Sequence, residues 1–175
     1  MGGRFPSSGE RGEFNLATYP EATAYVLAHW PTPATFAGFE IGARVKTGAR
    51  LIREHGPQTS PVARAYLEYT GGPDRESWDQ TAALYAVRGL DHEGQTYFTA
   101  VRQGHNRFDL TAALRAGPRS PSFSRNTWVA EPDSDQAYLV EAMPAERLAE
   151  VIEGLMMQRP RGGRAAYSIF PLTTR

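Results

Sequence analysis

The sequence predicts an α/β layered fold, and three observations carry that prediction. A helix-forming segment from Tyr19 to Trp30 runs into Pro31 and Pro33, then into the short apolar stretch Ala34-Thr35-Phe36-Ala37-Gly38. Helix, sharp stop and β-compatible run together make an αβ unit. From Thr96 the chain turns to strand-like runs, and from Pro144 it returns to a helix.

Taken in order, residues 1 to 15, MGGRFPSSGERGEFN, are broken by Gly2, Gly3, Pro6, Gly9 and Gly12. They have no periodicity, which predicts a loop and a free terminus. Thr18 and Glu21 have capping-box spacing ahead of the first helix, and Pro20 suits its first turn. Ala22, Tyr25, Val26 and His29 share one face of that helix at helical spacing. Residues 39 to 53 carry no decisive pattern, with glycines at 42 and 48. Ser60 followed by Pro61 opens a second helix, which Gly71, Gly72 and Pro73 end. Ser77 and Gln80 have capping-box spacing again, opening a third helix. Its residues Ala82, Ala83, Tyr85, Ala86 and Val87 are small and largely apolar, which predicts deep packing. Strands are expected at 97–101, 106–110, 127–131 and 136–142, with Pro132-Asp133-Ser134-Asp135 joining the last two as a hairpin. The final helix, from Pro144 to about Gln158, has an apolar stripe of Leu148, Val151, Ile152 and Leu155. The tail RPRGGR that follows is expected to be a basic, flexible loop.

The chain has 175 residues, enough for one domain with a sizeable core, and no internal repeat or domain linker divides it. Its 19 basic and 19 acidic residues cancel. That balance gives no reason to expect a nucleic-acid polymer or an anionic membrane as partner. The absence of cysteine excludes disulfides, thiol catalysis and thiolate metal sites. No apolar run is long enough to span a membrane, and the polar first residues lack a signal-peptide core, so the cytoplasm is the expected compartment.

Among residues able to carry chemistry, Asp79 in S77-W78-D79-Q80 has two readings. An acid in the first turn of a helix is favoured by the helix dipole. A carboxylate beside a buried helix must instead be paired or hold a metal. Glu13 and Asn15, in the loop motif GEFN, are either ordinary loop polars or binding groups held by the capped helix behind them. Trp78 is either a core residue or a pocket wall. His29, His55, His92 and His105 lack metal-ligand spacing. No serine sits in a G-x-S-x-G context, and GERGEF has no strand ahead of it to make a phosphate loop.

Four stretches occur in a telling order: Met1-Gly2-Gly3, then GEFN, then YPEATAYVLAHWPTPATFAGFEIG, then SWDQTAALYAVRG. Together they resemble the C-terminal half of the inosine-uridine-preferring nucleoside hydrolase family, over roughly residues 1 to 110. That family has a Met-Gly-Gly loop, an E-F-N motif, a D-P-E-A-A helix, and an H-D or W-D motif opening a buried helix. The resemblance implies a Rossmann-like layered fold with a mixed sheet, in a single domain incomplete at its N-terminus. It implies hydrolysis of the N-glycosidic bond of ribonucleosides and assembly into dimers or tetramers. It implies that Asp79 is a ligand of a calcium ion that holds the ribose 2′ and 3′ hydroxyls. It places Asn15 on ribose hydroxyls, Glu13 toward the 5′ hydroxyl, and Met1 beside the sugar. Trp78 stands near the leaving base, where many members have histidine, and an indole cannot protonate a leaving group. The family's D-x-D-x-x-x-D-D cluster, source of the catalytic base and of most calcium ligands, does not occur in this sequence. The resemblance thus implies no hydrolysis by the chain alone. A non-catalytic binding or assembly module on the same scaffold, or a truncated gene product, is the alternative.

Overall fold

The computed structural model describes residues 1–116 and 125–158. The tail RPRGGR lies outside the described residues. The chain has a mixed α/β fold, with eight helices and a four-stranded mixed sheet among the described residues. It divides into two compact units, Met1–Lys46 with Glu76–Ala149, and Thr47–Arg75 with Glu150–Arg175.

The first unit opens with an extended segment that reaches α1 (Phe14–Thr18) and α2 (Pro20–His29). Strand β1 (Ala34–Phe36) and α3 (Phe39–Arg44) follow, up to β2 (Lys46–Thr47) at the unit boundary. The second unit holds α4 (Ala49–His55) and α5 (Pro61–Thr70), up to β3 (Arg75–Glu76). The chain then returns to the first unit with α6 (Trp78–Arg88), the hairpin of β4 (Asp91–His92) and β5 (Gln95–Thr96), and β6 (Phe98–Phe108). After α7 (Leu110–Ala116) come β7 (Asn126–Ala130), β8 (Gln136–Glu141) and α8 (Ala145–Met156).

The four-stranded sheet runs β1-β8-β6-β7. β1 lies parallel to β8, pairing Ala34 with Gln136 and Phe36 with Tyr138. β6 is antiparallel to β7 through residues 104 to 108 and antiparallel to β8 through 98 to 101. The expected β7–β8 hairpin therefore does not form. Gly104 pairs with Ala130 on one side and with Gln136 on the other, so the chain passes from one edge of β6 to the opposite edge. The expected break between two strands near 102–105 is a register shift inside one long strand, with Gln103 at φ 60°.

The N-terminal residues are not free, contrary to the sequence reading. Gly2 N–H donates to Ala37 O, and Phe39 N–H donates to Gly3 O. Arg4 N–H donates to the side chain of Asn126, Trp128 N–H donates to Pro6 O, and Ser7 bridges Thr127. The ring of Phe5 stacks on Tyr138 at 4.8 Å, and Trp128 meets Tyr138 edge-on at 5.0 Å. Burying these aromatic faces together is what holds a glycine-rich segment in place. Leu16, Ala37, Ile41, Val45, Tyr97, Phe98 and Leu139 complete the core of this unit.

Two helices turn a different face inward from the one their sequence predicts. α2 begins at Pro20 after Tyr19, so Thr18 belongs to α1 and does not cap it. Its buried side carries Pro20, while Tyr25 and Val26 stand 66% and 47% exposed. α2 is apolar around most of its circumference, so periodicity does not fix the inward face. α6 buries Thr81 and Leu84 only, and Val87 is 84% exposed. α6 is therefore a half-covered helix, not one packed deep inside.

In the second unit, Ser60 Oγ accepts from Ala63 N–H at 3.2 Å and Pro61 opens α5, while Gly71 at φ 74° closes it, as the sequence indicates. The first turn of α4 is capped by two acids from elsewhere in this unit. Glu153 accepts from Gly48 N–H at 2.8 Å and from Leu51 N–H at 3.4 Å, and Asp74 accepts from Ala49 N–H at 2.8 Å.

Candidate functional site

Glu13 is 3% exposed and occupies the N-cap of α1. Its Oε1 accepts from Asn15 N–H at 2.9 Å. Its Oε2 accepts from Leu16 N–H at 3.2 Å and from Gly3 N–H at 3.1 Å. The first two bonds satisfy helix-terminal donors that have no partner within the helix. The third fastens the Met1-Gly2-Gly3 segment to the same carboxylate. Glu13 thus joins the two motifs, and its oxygens meet backbone N–H groups.

Asn15 follows in the first turn of α1 and is exposed. Its Nδ2 lies 3.1 Å from Met1 Sδ and 3.4 Å from Met1 O. Met1 and Asn15 share the wall of a cavity of about 400 Å³. The other walls come from Leu16 of α1, from Tyr19 and the outward face of α2, and from Thr35 and Phe36 of β1. The size lies within the usual range for small-molecule sites, about 300–1,000 Å³. Two of its hydroxyls are engaged within the protein. Thr23 Oγ1 donates to Leu16 O at 3.0 Å, and Thr35 Oγ1 lies 3.3 Å from the hydroxyl of Tyr85.

Trp78 and Asp79 are not among the residues that line this cavity. The indole N–H of Trp78 donates to Phe39 O at 3.1 Å, and its ring packs on Phe39 at 5.2 Å. The guanidinium of Arg4 covers Phe39 at 3.7 Å from the ring centre. Beside it, Glu40 accepts from Phe5 N–H at 3.2 Å. Burial pushes its carboxyl above the ordinary glutamate range, outweighing that bond and the nearby charges of Arg44 and Arg4. Asp79 is exposed in the first turn of α6.

The fit of calcium can be judged from these residues. A calcium shell takes about six to eight oxygens. Asp79 offers one carboxylate, and no group of three or more His, Cys, Asp or Glu able to hold a metal forms among the described residues. A shell about Asp79 would therefore have to draw on carbonyl and water oxygens as well. The histidines lie in other settings: His92 and His105 are in strands, and His105 Nδ1 lies 2.8 Å from Glu131.

The structure thus brings Met1 and Asn15 to one cavity wall, keeps Glu13 off that wall as a buried cap that fastens Gly3 and Asn15, and leaves Trp78 and Asp79 outside the cavity. Tyr19, Thr23 and Thr35 are wall residues that the sequence did not single out. No protein-family model, curated protein or solved structure matches this chain.

Proposed function

We propose that this chain is a nucleoside hydrolase-like protein that recognises ribonucleosides in the cavity between α1, α2 and β1. One observation carries the reading. Met1 and Asn15, from the two motifs that suggest sugar contacts, touch each other on the wall of one cavity. The Asn15 amide can both donate to and accept from hydroxyls, which suits a vicinal diol. Glu13 acts as the positioning residue, since its carboxylate fixes both Gly3 and Asn15. In N-glycosidic hydrolysis the C1′–N bond breaks, its electron pair passes to the base, water supplies a hydroxyl to C1′, and the proton that water gives up ends on the base, leaving ribose and free base. A transition state of this kind carries positive charge on the sugar and needs acidic groups about it. Among the described residues the cavity wall has none, so this chain alone is expected to bind without turning over. Calcium, with Asp79 as one ligand, belongs to the same reading only where further oxygens complete the shell.

The test is calorimetric titration of the purified chain with inosine and uridine, alongside a base-release assay. Saturable binding, at least tenfold weaker in Asn15→Ala, with no base released, is the expected result. Absence of saturable binding for both nucleosides, or binding indifferent to Asn15→Ala, overturns the reading. A non-catalytic module on this scaffold is the second reading, favoured by the Trp78 indole N–H, which is tied to Phe39 O. It differs in one outcome: supplying a carboxylate-bearing partner segment never restores base release.

A further inference from the structure

Resting on the nucleoside reading, we infer that the cavity sorts its ligands by stacking and ring size. In this inference Tyr19 is the specificity-determining residue, and purine nucleosides are the favoured class.

A pocket that reads the edge of a base needs donors and acceptors aimed at it. Among the described residues, three polar side chains other than tyrosine line this cavity: Asn15, Thr23 and Thr35. Asn15 is the group assigned to the ribose hydroxyls, Thr23 donates to Leu16 O, and Thr35 is paired with Tyr85. The remaining wall is mainly apolar, from Leu16, Val26, Leu27 and Phe36. Affinity for the base must then come from burial of its faces and from contact with an aromatic ring.

Tyr19 is placed to supply that ring. It lines the cavity and stands 63% exposed, so its ring has area left to cover. Its backbone is held at the junction of α1 and α2, as C-cap of the first and N-cap of the second. Tyr19 O accepts from Thr23 N–H at 2.9 Å, and Pro20 follows directly. The ring is therefore presented from a fixed backbone, which lowers the ordering cost of binding. A bicyclic base covers more of it than a monocyclic one does. Roughly 40 Å² of additional apolar contact at about 25 cal/mol per Å² corresponds to about a fivefold preference.

The experiment titrates the full chain with inosine and with uridine by calorimetry, in wild type, Tyr19→Ala, Tyr19→Phe and Asn15→Ala. Inosine is expected to bind about fivefold more tightly than uridine. Tyr19→Ala should weaken inosine more than uridine and bring the two together, while Tyr19→Phe keeps the preference. Asn15→Ala should weaken both nucleosides by the same factor. Circular dichroism of Tyr19→Ala checks that the variant folds, and Tyr19→Leu, which also removes the aromatic ring and is expected to bring the two affinities together, serves in its place if it does not. Equal affinities in wild type, or a preference that survives Tyr19→Ala, overturn this inference and leave the nucleoside reading standing. Binding of neither nucleoside overturns both.

Discussion

At the scale of single residues, the acids of this chain behave differently according to what surrounds them. Glu13 is buried, and its two oxygens accept from three backbone N–H groups, so its hydrogen-bonding capacity is met inside the protein. Glu40 accepts from Phe5 N–H, and burial outweighs the backbone bonds and nearby charges that favour its ionised form, so its carboxyl is pushed up. A carboxyl raised in the folded state binds protons that the unfolded chain has already released. Its contribution to stability is therefore fully present below the ordinary glutamate range, near 4.5, and is lost as pH rises through the folded value. Glu40→Gln imitates the protonated form and keeps an oxygen for Phe5 N–H. Unfolding curves between pH 4.5 and 7 should show a flatter dependence in Glu40→Gln than in wild type, with the variant at least as stable at neutral pH. A variant less stable than wild type at neutral pH would mean that Arg4 and Arg44 outweigh burial. The sequence could signal Glu13 and Asn15 through the GEFN motif, because a motif is local. It could not signal Glu40, whose environment is made by Phe5 and Arg4, far away along the chain.

At the scale of elements, what was legible is what is decided locally. α5 has its serine cap, first-turn proline and closing glycine within one short stretch, and α8 buries Leu148 and Ile152 from the stripe its sequence shows. The β7–β8 hairpin was not legible, because Pro132-Asp133-Ser134-Asp135 only specifies a turn. Which strands pair is decided by β6, whose two edges are both taken, and by the crossing at Gly104. That crossing makes a specific demand on residue type. A Cβ at Gly104 would lie 2.6 Å from Val129 O and would overlap the indole of Trp128. Gly104→Ala should therefore lower stability by about 1–3 kcal/mol, since neither the backbone nor a packed indole yields cheaply. Gly154, inside α8, is the matched control, because a Cβ there would meet nothing within 4 Å. Gly154→Ala should raise stability by about 0.4–1 kcal/mol through the unfolded chain. Denaturant midpoints that move in opposite directions for the two variants, at unchanged slope, are the expected result. If Gly104→Ala proved neutral, the passage of the chain across β6 would be looser than this packing requires. The same reasoning explains why Tyr19 and Thr35 were not legible as neighbours: α2 and β1 bring them to one cavity, and neither carries a motif.

At the scale of the whole molecule, net charge is zero and no helix among the described residues is long and apolar enough to cross a membrane. Neither property supplies a long-range field that would gather a divalent cation, so an ion can be held only by a built shell. A ligand that binds the folded chain alone raises its stability by RT ln(1 + [L]/Kd), about 2.7 kcal/mol at a hundred times Kd. Asp79 is exposed in the first turn of α6, and among the described residues no acidic group of metal-holding size accompanies it. Where no carbonyl or water oxygens complete a shell about it, a lone exposed carboxylate leaves Kd far above any working concentration, and the logarithm stays near zero. Adding millimolar calcium should then move the melting temperature of this chain by less than about 1 °C, because shifts of about 2–4 °C accompany each kcal/mol at this size. Asp79→Ala should lower it by about 1–4 °C through loss of the first-turn acid, worth about 0.3–1 kcal/mol, equally with and without calcium. A rise of several degrees with calcium that Asp79→Ala abolishes would reverse the assignment. It would mean that carbonyl and water oxygens complete a shell about Asp79, and that α6 rather than the cavity wall is where catalysis should be sought.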